Sequence, residues 1–304
     1  MKHIFIIISI FILGVLILAY YLVYAPVDAN SAESSVFLVK KGDGLNQISV
    51  NLQNEGLIRN RYLFAIYALH KNEAKNLIAG QYELSKSMAI PDILEKISSG
   101  DRIKRMVTII EGWTVRDIEE HLNMGEIDES LEGYLFPDTY EVFPEEKLED
   151  IIKRMEDNFG RKVASDLKDE MARQGKSLAD IITMASIIEK EVQTIEDKKI
   201  VSGILWKRLK NNMPLQVDST ISYITRRKST ELTKEELAIK SPYNTYLNKG
   251  LPPGPICNPG INSIEAAVYP FNTKYWFYLS TREGETIFSS TLEEHEQARQ
   301  EYLK

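Results

Sequence analysis

The 304-residue chain has one cysteine, Cys257, so no disulfide can form within it and a packed core must hold the fold. It also lacks a basic excess. Its 37 Lys and Arg stand against 44 Asp and Glu, a formal net charge of −7, so no surplus cation is left to neutralise the phosphates of a nucleic acid partner. The one basic run, Arg226-Arg227-Lys228, reads as a solvated loop. The four histidines, His3, His70, His121 and His295, are too scattered to suggest a zinc site, and no His-Glu-x-x-His occurs. A phosphate-binding glycine loop and a Gly-x-Ser-x-Gly nucleophile elbow are missing too. Ser165 to Lys168 has a serine acyltransferase spacing, but it sits in a charged helical stretch and reads as solvated face. Nothing in the sequence calls for a metal or a cofactor.

What the chain does have begins at its N-terminus. Ile4 to Tyr24 carries no charge. About 20 apolar residues span a bilayer, whereas the apolar part of a cleaved signal peptide is only about 7–15 residues long. Tyr20, Tyr21 and Tyr24 cluster at one end, as an interfacial aromatic belt would. Lys2 precedes the span, and Asp28 and Glu33 follow it, which predicts an N-terminus inside and the bulk of the chain outside the cytoplasmic membrane. The alternative is a cleaved signal, favoured by the small residues Ala25, Ala29, Ser31 and Ala32. On the first reading, residues 1–27 are a cytoplasmic tip and anchor, and 28–35 form a linker.

Beyond the linker one pattern appears three times: an extended apolar segment, a turn marked by Gly or Ser, and an amphipathic helix. Val36 to Val39 leads to a helix with Leu45, Ile48 and Leu52 on one face; Gly80 to Leu84 leads to one with Ile90, Ile93, Leu94 and Ile97. Met106 to Ile110 leads to a third with Val115, Ile118 and Leu122, for which Thr114 is the expected N-cap. A further helix carries Leu63, Phe64, Tyr67 and Ala68. Leu148 to about Lys207 reads as helical, in three pieces broken near Gly160 and Gly175. After Pro214 helix periodicity gives way to Pro, Gly, Asn and Tyr, densest from Ser241 to Gly260. Trp276–Ser280 and Thr286–Phe288 form an expected strand pair, and Leu292–Lys304 a polar helix. The fold class is α+β: an N-terminal transmembrane helix, a small βα subdomain over 36–102 and a larger α+β domain over 103–304.

The chemistry centres on Met184-Ala185-Ser186-Ile187-Ile188-Glu189-Lys190-Glu191, where two carboxylates end an apolar run. A carboxylate beside so much aliphatic surface must be paired, hydrogen-bonded or used as an acid. Outside a membrane, a protonated carboxyl suits cleavage of a glycosidic bond. On a helix Glu189 and Glu191 fall at opposite edges of the apolar stripe, so periodicity does not choose between them. Both are also readable as flanking charges that pair with Lys190, Lys198 or Lys199.

The run from Ala185 to Glu191 resembles the signature around the catalytic glutamate of the MltG (YceG-like) endolytic murein transglycosylases. The resemblance continues through Leu131–Tyr140, Leu215–Thr220, Ser241–Tyr246, Gly250–Gly260 and Phe288–Thr291 with His295. The unit with Val39, Gly42, Asp43, Leu45, Ile48 and Leu52 resembles a LysM-like glycan-binding subdomain. The resemblance implies a lyase and terminase of glycan polymerisation. Such an enzyme cuts the MurNAc–GlcNAc bond of nascent peptidoglycan internally, without water, and leaves 1,6-anhydro-MurNAc ends. Implied partners are glycan strands, the membrane and peptidoglycan synthases (penicillin-binding proteins).

The resemblance assigns catalysis to Glu189, with Met184, Ile187 and Ile188 expected to raise its pKa by desolvation. Glu191 is then a flanking charge. Gln216, Asp218, Tyr243 and Asn244 are candidate sugar-binding groups, Tyr134, Phe136 and Tyr140 candidate stacking faces, and Glu132 a candidate second carboxylate. Leu135–Tyr140 also reads as a packed turn, and the Pro-Pro-Gly segment as scaffold. Two rival readings remain: a non-catalytic glycan-binding scaffold, and a muramidase hydrolase using Glu189 with Glu132 or Asp218.

Overall fold

Alternating apolar residues in Ser34–Val39 and Gly80–Ser85 give two short strands, β1 and β2, which pair antiparallel with Phe37 opposite Tyr82 and Val39 opposite Gly80. The structure is a computed structural model and describes residues 2–227, 231–281 and 283–302; the side chains of Lys2, His3 and Ser165 are also outside the described part. The expectations that rest on Lys228, Lys304 and those three side chains therefore lie outside it.

The chain divides into two units, the first comprising residues up to Met106 together with Glu141–Glu146. It opens with α1, Lys2–Tyr24. From Ile4 to Tyr24 this helix is long and apolar enough to cross a membrane, and its large apolar side chains up to Tyr21 are bare. Between β1 and β2 lie α2, Leu45–Asn54, and α3, Arg61–His70; α4, Ile90–Ser99, follows β2. Asn60 caps α3, its Oδ1 accepting from the backbone N–H groups of Tyr62 and Leu63. Phe37, Ile48, Leu52, Phe64, Tyr82, Leu84, Ile93 and Ile97 are all fully buried and form the unit's core. The stretch read as a linker is tied down. Arg59 donates to the carbonyls of Ala25 and Val27, each at 2.9 Å, Asp28 N–H donates to Lys86 O at 2.9 Å, and β1 begins at Ser34.

The second unit takes Val107–Tyr140 and Lys147–Lys304. The chain passes from unit to unit along β3, Arg105–Thr108, and β4, Thr139–Val142. Thr114 caps α5, Val115–Leu122, in a reciprocal capping box with Asp117. The long helical stretch has four pieces where three were expected: α6, Leu148–Lys162; α7, Ser165–Arg173; α8, Leu178–Glu191; and α9, Ile195–Lys210. Gly160 stays inside α6, since one helical glycine costs only about 1 kcal/mol. The extra break comes at Val192, and Thr194 caps the helix beyond it by accepting from Asp197 N–H.

Two short helices stand where periodicity fades, α10, Asp218–Thr225, and α11, Ile261–Val268. The first buries Ile221 and the second Ile264, Ala266, Ala267 and Val268; α11 packs on α8 and α9. The expected strand pair is present as β5, Phe277–Ser280, and β6, Thr286–Ser289, followed by α12, Leu292–Tyr302. Helix and sheet are thus mixed, with α8 at the centre of the larger core.

Candidate active site

Ser177 starts α8 with a capping box to Asp180, and every residue from Ile181 to Ile188 is buried. A helix enclosed on all sides has no outward face, so its polar groups gather in the last turn. There the two glutamates meet different surroundings.

Glu189 is closed in by donors. Its Oε1 accepts from Lys198 Nζ at 3.0 Å, and its Oε2 from Gly260 N–H at 3.0 Å and Ser263 Oγ at 2.6 Å. The Glu189 and Lys198 side chains are 8% and 5% exposed, which makes them a buried ion pair. Lys198 on α9 and Ser263 on α11 are thus drawn to one point on α8. Gly112 lies against Glu189 Cγ, and the Glu111 carboxylate occupies the space a side chain at Gly260 would fill. The expected aliphatic setting is therefore not what the carboxylate meets. Met184, Ile187 and Ile188 point into the core, and the polar enclosure matches the pairing role that the sequence left open for Lys198.

Glu191, expected to be a simple flanking charge, is instead drawn inward. Its Oε2 accepts from Tyr278 Oη at 3.0 Å. Burial pushes its pKa up; the neighbouring Ser219 and the Tyr278 hydroxyl pull it part of the way back, and the nearby Asp218 charge raises it again. Ser219 belongs to the first turn of α10, whose N-terminus thereby faces this carboxyl. Asp218 accepts from Tyr246 Oη at 2.6 Å, and buried Arg208 holds the approach to this segment by donating to the carbonyls of Leu215 and Trp276.

A cleft of about 1110 Å³ runs beside this helix end. Its lining includes Lys190, Ser219, Tyr223, Tyr243, Ile256 and Glu132, with Arg116, Arg226 and Arg227. Two arginines of the run read as a solvated loop therefore belong to the cleft. Glu132 is 7% exposed; burial pushes its pKa up to about 7, even though the Val115 N–H donates to it. Its other fixed partner is Asn258. Fully buried, Asn258 accepts at Oδ1 from Gly133 and Leu135 N–H at 3.0 and 2.9 Å, and donates from Nδ2 to Trp113 O and Glu132 Oε1 at 3.0 and 3.2 Å. Ser186 on α8 accepts from Ile256 N–H, so the loop around Asn258 ties together three segments distant from it in sequence, at Trp113–Val115, Glu132–Leu135 and Ser186.

Of the residues singled out from sequence, Glu132 and Tyr243 line the cleft, and Asp218 neighbours Glu191 through its charge. Gln216 is exposed, with a left-handed φ of 54°, and its N–H donates to Thr245 O. Asn244 is a correction. It is fully buried, donates to Leu237 O and Ile239 O and accepts from Tyr246 N–H, so no group is left for a sugar. Tyr134 is likewise packed edge-on against Phe159, 5.3 Å between centroids, and does not line the cleft. Phe136 and Tyr140 are buried, and Tyr140 Oη donates to Phe136 O, so this segment is the packed turn. Sequence reasoning missed Ser263, Tyr278, Tyr223 and Asn258. Only the last carried a signal: an amide inside a Pro-rich, Gly-rich loop that needs internal bonds.

The model of the YceG-like family matches residues 37–301. An endolytic murein transglycosylase of Bacillus subtilis is 32% identical over 91% of this chain and 87% of its own length. One from Streptococcus pneumoniae (strain D39) is 27% identical over 89% of this chain, which spans 59% of that longer protein. The crystal structure of a yceG-like protein from Listeria monocytogenes superposes with a TM-score of 0.58 at 32% identity, covering 88% of this chain and 99% of the other.

Proposed function

The chain belongs to the YceG-like family, and we propose that it is a membrane-anchored lytic transglycosylase that cuts peptidoglycan strands internally. The relatives named as endolytic murein transglycosylases support this reading. The observation that carries the mechanism is the contrast between the two glutamates of α8. An acid that protonates a bridging oxygen needs a pKa lifted toward working pH, and must then accept a proton in turn. Burial lifts Glu191 in this direction beside Ser219 of the cleft, while Glu189 is engaged on both oxygens. We therefore assign the acid–base role to Glu191 and a structural role to Glu189, reversing the assignment drawn from resemblance.

In this mechanism Glu191 gives its proton to the MurNAc–GlcNAc bridging oxygen as the C1–O bond breaks. The resulting carboxylate then takes the proton of the same MurNAc residue's C6 hydroxyl, whose oxygen closes on C1. No water is consumed, the carboxyl returns to its starting state, and one strand ends in 1,6-anhydro-MurNAc. An inverting hydrolase would need a second carboxylate across a water, about 6.5–9.5 Å away. Glu132, buried in the cleft with its pKa near 7, keeps the muramidase reading alive as the second choice.

The anchor supports action on strands near the membrane where they are made, as a terminase working beside peptidoglycan synthases such as penicillin-binding proteins. The β1-α2-α3-β2 arrangement supports a LysM-like glycan-binding role for residues 36–102. Mass spectrometry of strands digested by the purified full chain tests the proposal. Anhydro ends are expected; products bearing only reducing ends would replace the lyase with a hydrolase, and no products would leave the scaffold reading.

A further inference from the structure

Helix α3 buries Phe64 and Ala68 in the core of the first unit, yet turns Tyr62, Ile66 and Leu69 outward, 61%, 62% and 59% exposed. Their i, i+4, i+7 spacing makes one continuous stripe on the face away from Phe64 and Ala68. Clustered large apolar side chains on a surface mark a place of contact. The position of the helix says with what.

The Tyr67 ring meets the Tyr24 ring edge-on, 6.1 Å between centroids, and Tyr24 is the last residue of α1. Helix α1 packs on both α3 and α4, and Val23 joins the core of the unit. Arg59 then clamps the carbonyls of Ala25 and Val27, so the chain leaves α1 without slack. Helix α3 is thus one ring contact from the end of the apolar span. The interfacial layer outside the hydrocarbon is about 5–8 Å deep on each side, comparable to that contact. In sequence α3 is flanked by Arg59, Arg61, Lys71 and Lys75 against the single acid Glu73, a net positive charge that suits anionic headgroups.

We propose that the Tyr62–Ile66–Leu69 stripe of α3 docks into the headgroup layer of the bilayer that α1 spans, holding the first unit flat against the membrane. The proposal rests on the reading of α1 as an anchor. Its partner is the lipid surface itself, which an amphipathic helix with basic flanks enters by its apolar face.

Nitroxide labels test it in the full chain, reconstituted into vesicles of mixed zwitterionic and anionic phospholipid. Single cysteines replace Ile66, Leu69, Leu13 in α1, and Asp169 as a water reference; native Cys257 is buried and stays unlabelled. All four positions are exposed, so the substitutions leave the core intact. At positions 66 and 69 the label should be several-fold more accessible to oxygen, relative to a water-soluble nickel relaxant, than at position 169. Position 13 should show a still higher ratio. A water-like ratio at 66 and 69 with a lipid-like one at 13 overturns the docking and leaves the anchor. Protection from both relaxants at 66 and 69 also overturns it, by pointing to a protein partner. A water-like ratio at 13 removes the anchor reading on which the proposal stands.

Discussion

At Glu132 burial outweighs the hydrogen bond from Val115, and the carboxyl is pushed from 4.5 up to about 7. The consequence for stability has a definite sign. Below about pH 4.5 folded and unfolded chains both hold the proton, and the favourable contribution is whole. As pH rises, the unfolded chain releases it first, so stability falls until the folded carboxyl also ionises near 7. A gap of this size corresponds to about 3 kcal/mol. Glu191 is raised too, and pulls in the same direction. Thermal unfolding of Glu132→Gln in detergent should therefore show a flatter decline between about pH 5 and 8 than the unsubstituted chain. An unchanged slope would mean that Glu132 does not hold its proton in the folded state. Periodicity places the carboxylates without ranking Glu189 against Glu191, and the resemblance puts Glu189 first. Ranking them takes Lys198, Ser263, Ser219 and Tyr278, which only the fold brings near.

Among the elements, the loop from Gly250 to Gly260 does most to fix the cleft, and Asn258 is its knot. Asn258→Ala strands Gly133 N–H and Leu135 N–H inside the protein and frees one side of Glu132, while Trp113 O keeps the backbone N–H of residue 258. Each buried polar group left without a partner costs about 1–3 kcal/mol, so a loss of about 3 kcal/mol or more is expected in denaturant unfolding. A loss under 1 kcal/mol would show that water replaces the amide. The strand–turn–helix units, the Thr114 cap and the β5–β6 pair were legible because local periodicity and capping chemistry determine them. Helices α10 and α11 were not. At eight residues each they are too short to show a repeat, and burial of Ile221 in α10 and of Ile264 and Ala267 in α11 defines them. Leu135–Tyr140 stays open in sequence between a packed turn and stacking faces, and Asn244 is misplaced, for a related reason: an aromatic or an amide looks the same in sequence whether it faces a sugar or a carbonyl.

For the molecule as a whole, a span from Ile4 to Tyr24 with Lys2 before it and acidic residues after it predicts a catalytic unit outside the cytoplasmic membrane. Protease added to spheroplasts should digest most of the chain; full protection would contradict that orientation, and a released soluble form would point to a cleaved signal. The central claim, that one glutamate of α8 does the chemistry while the other holds the site together, is tested most directly by comparing two variants. Glu191→Gln should stay folded and lose about 10²- to 10⁴-fold or more in release of anhydro ends, since general acid–base help is worth that much. Glu189→Gln leaves Lys198 buried without its counter-charge, which costs about 3–5 kcal/mol when a buried pair is broken. It should therefore lower the melting temperature markedly while its folded fraction still cuts glycan. Near-normal turnover by Glu191→Gln, or a stable but inactive Glu189→Gln, would contradict the account.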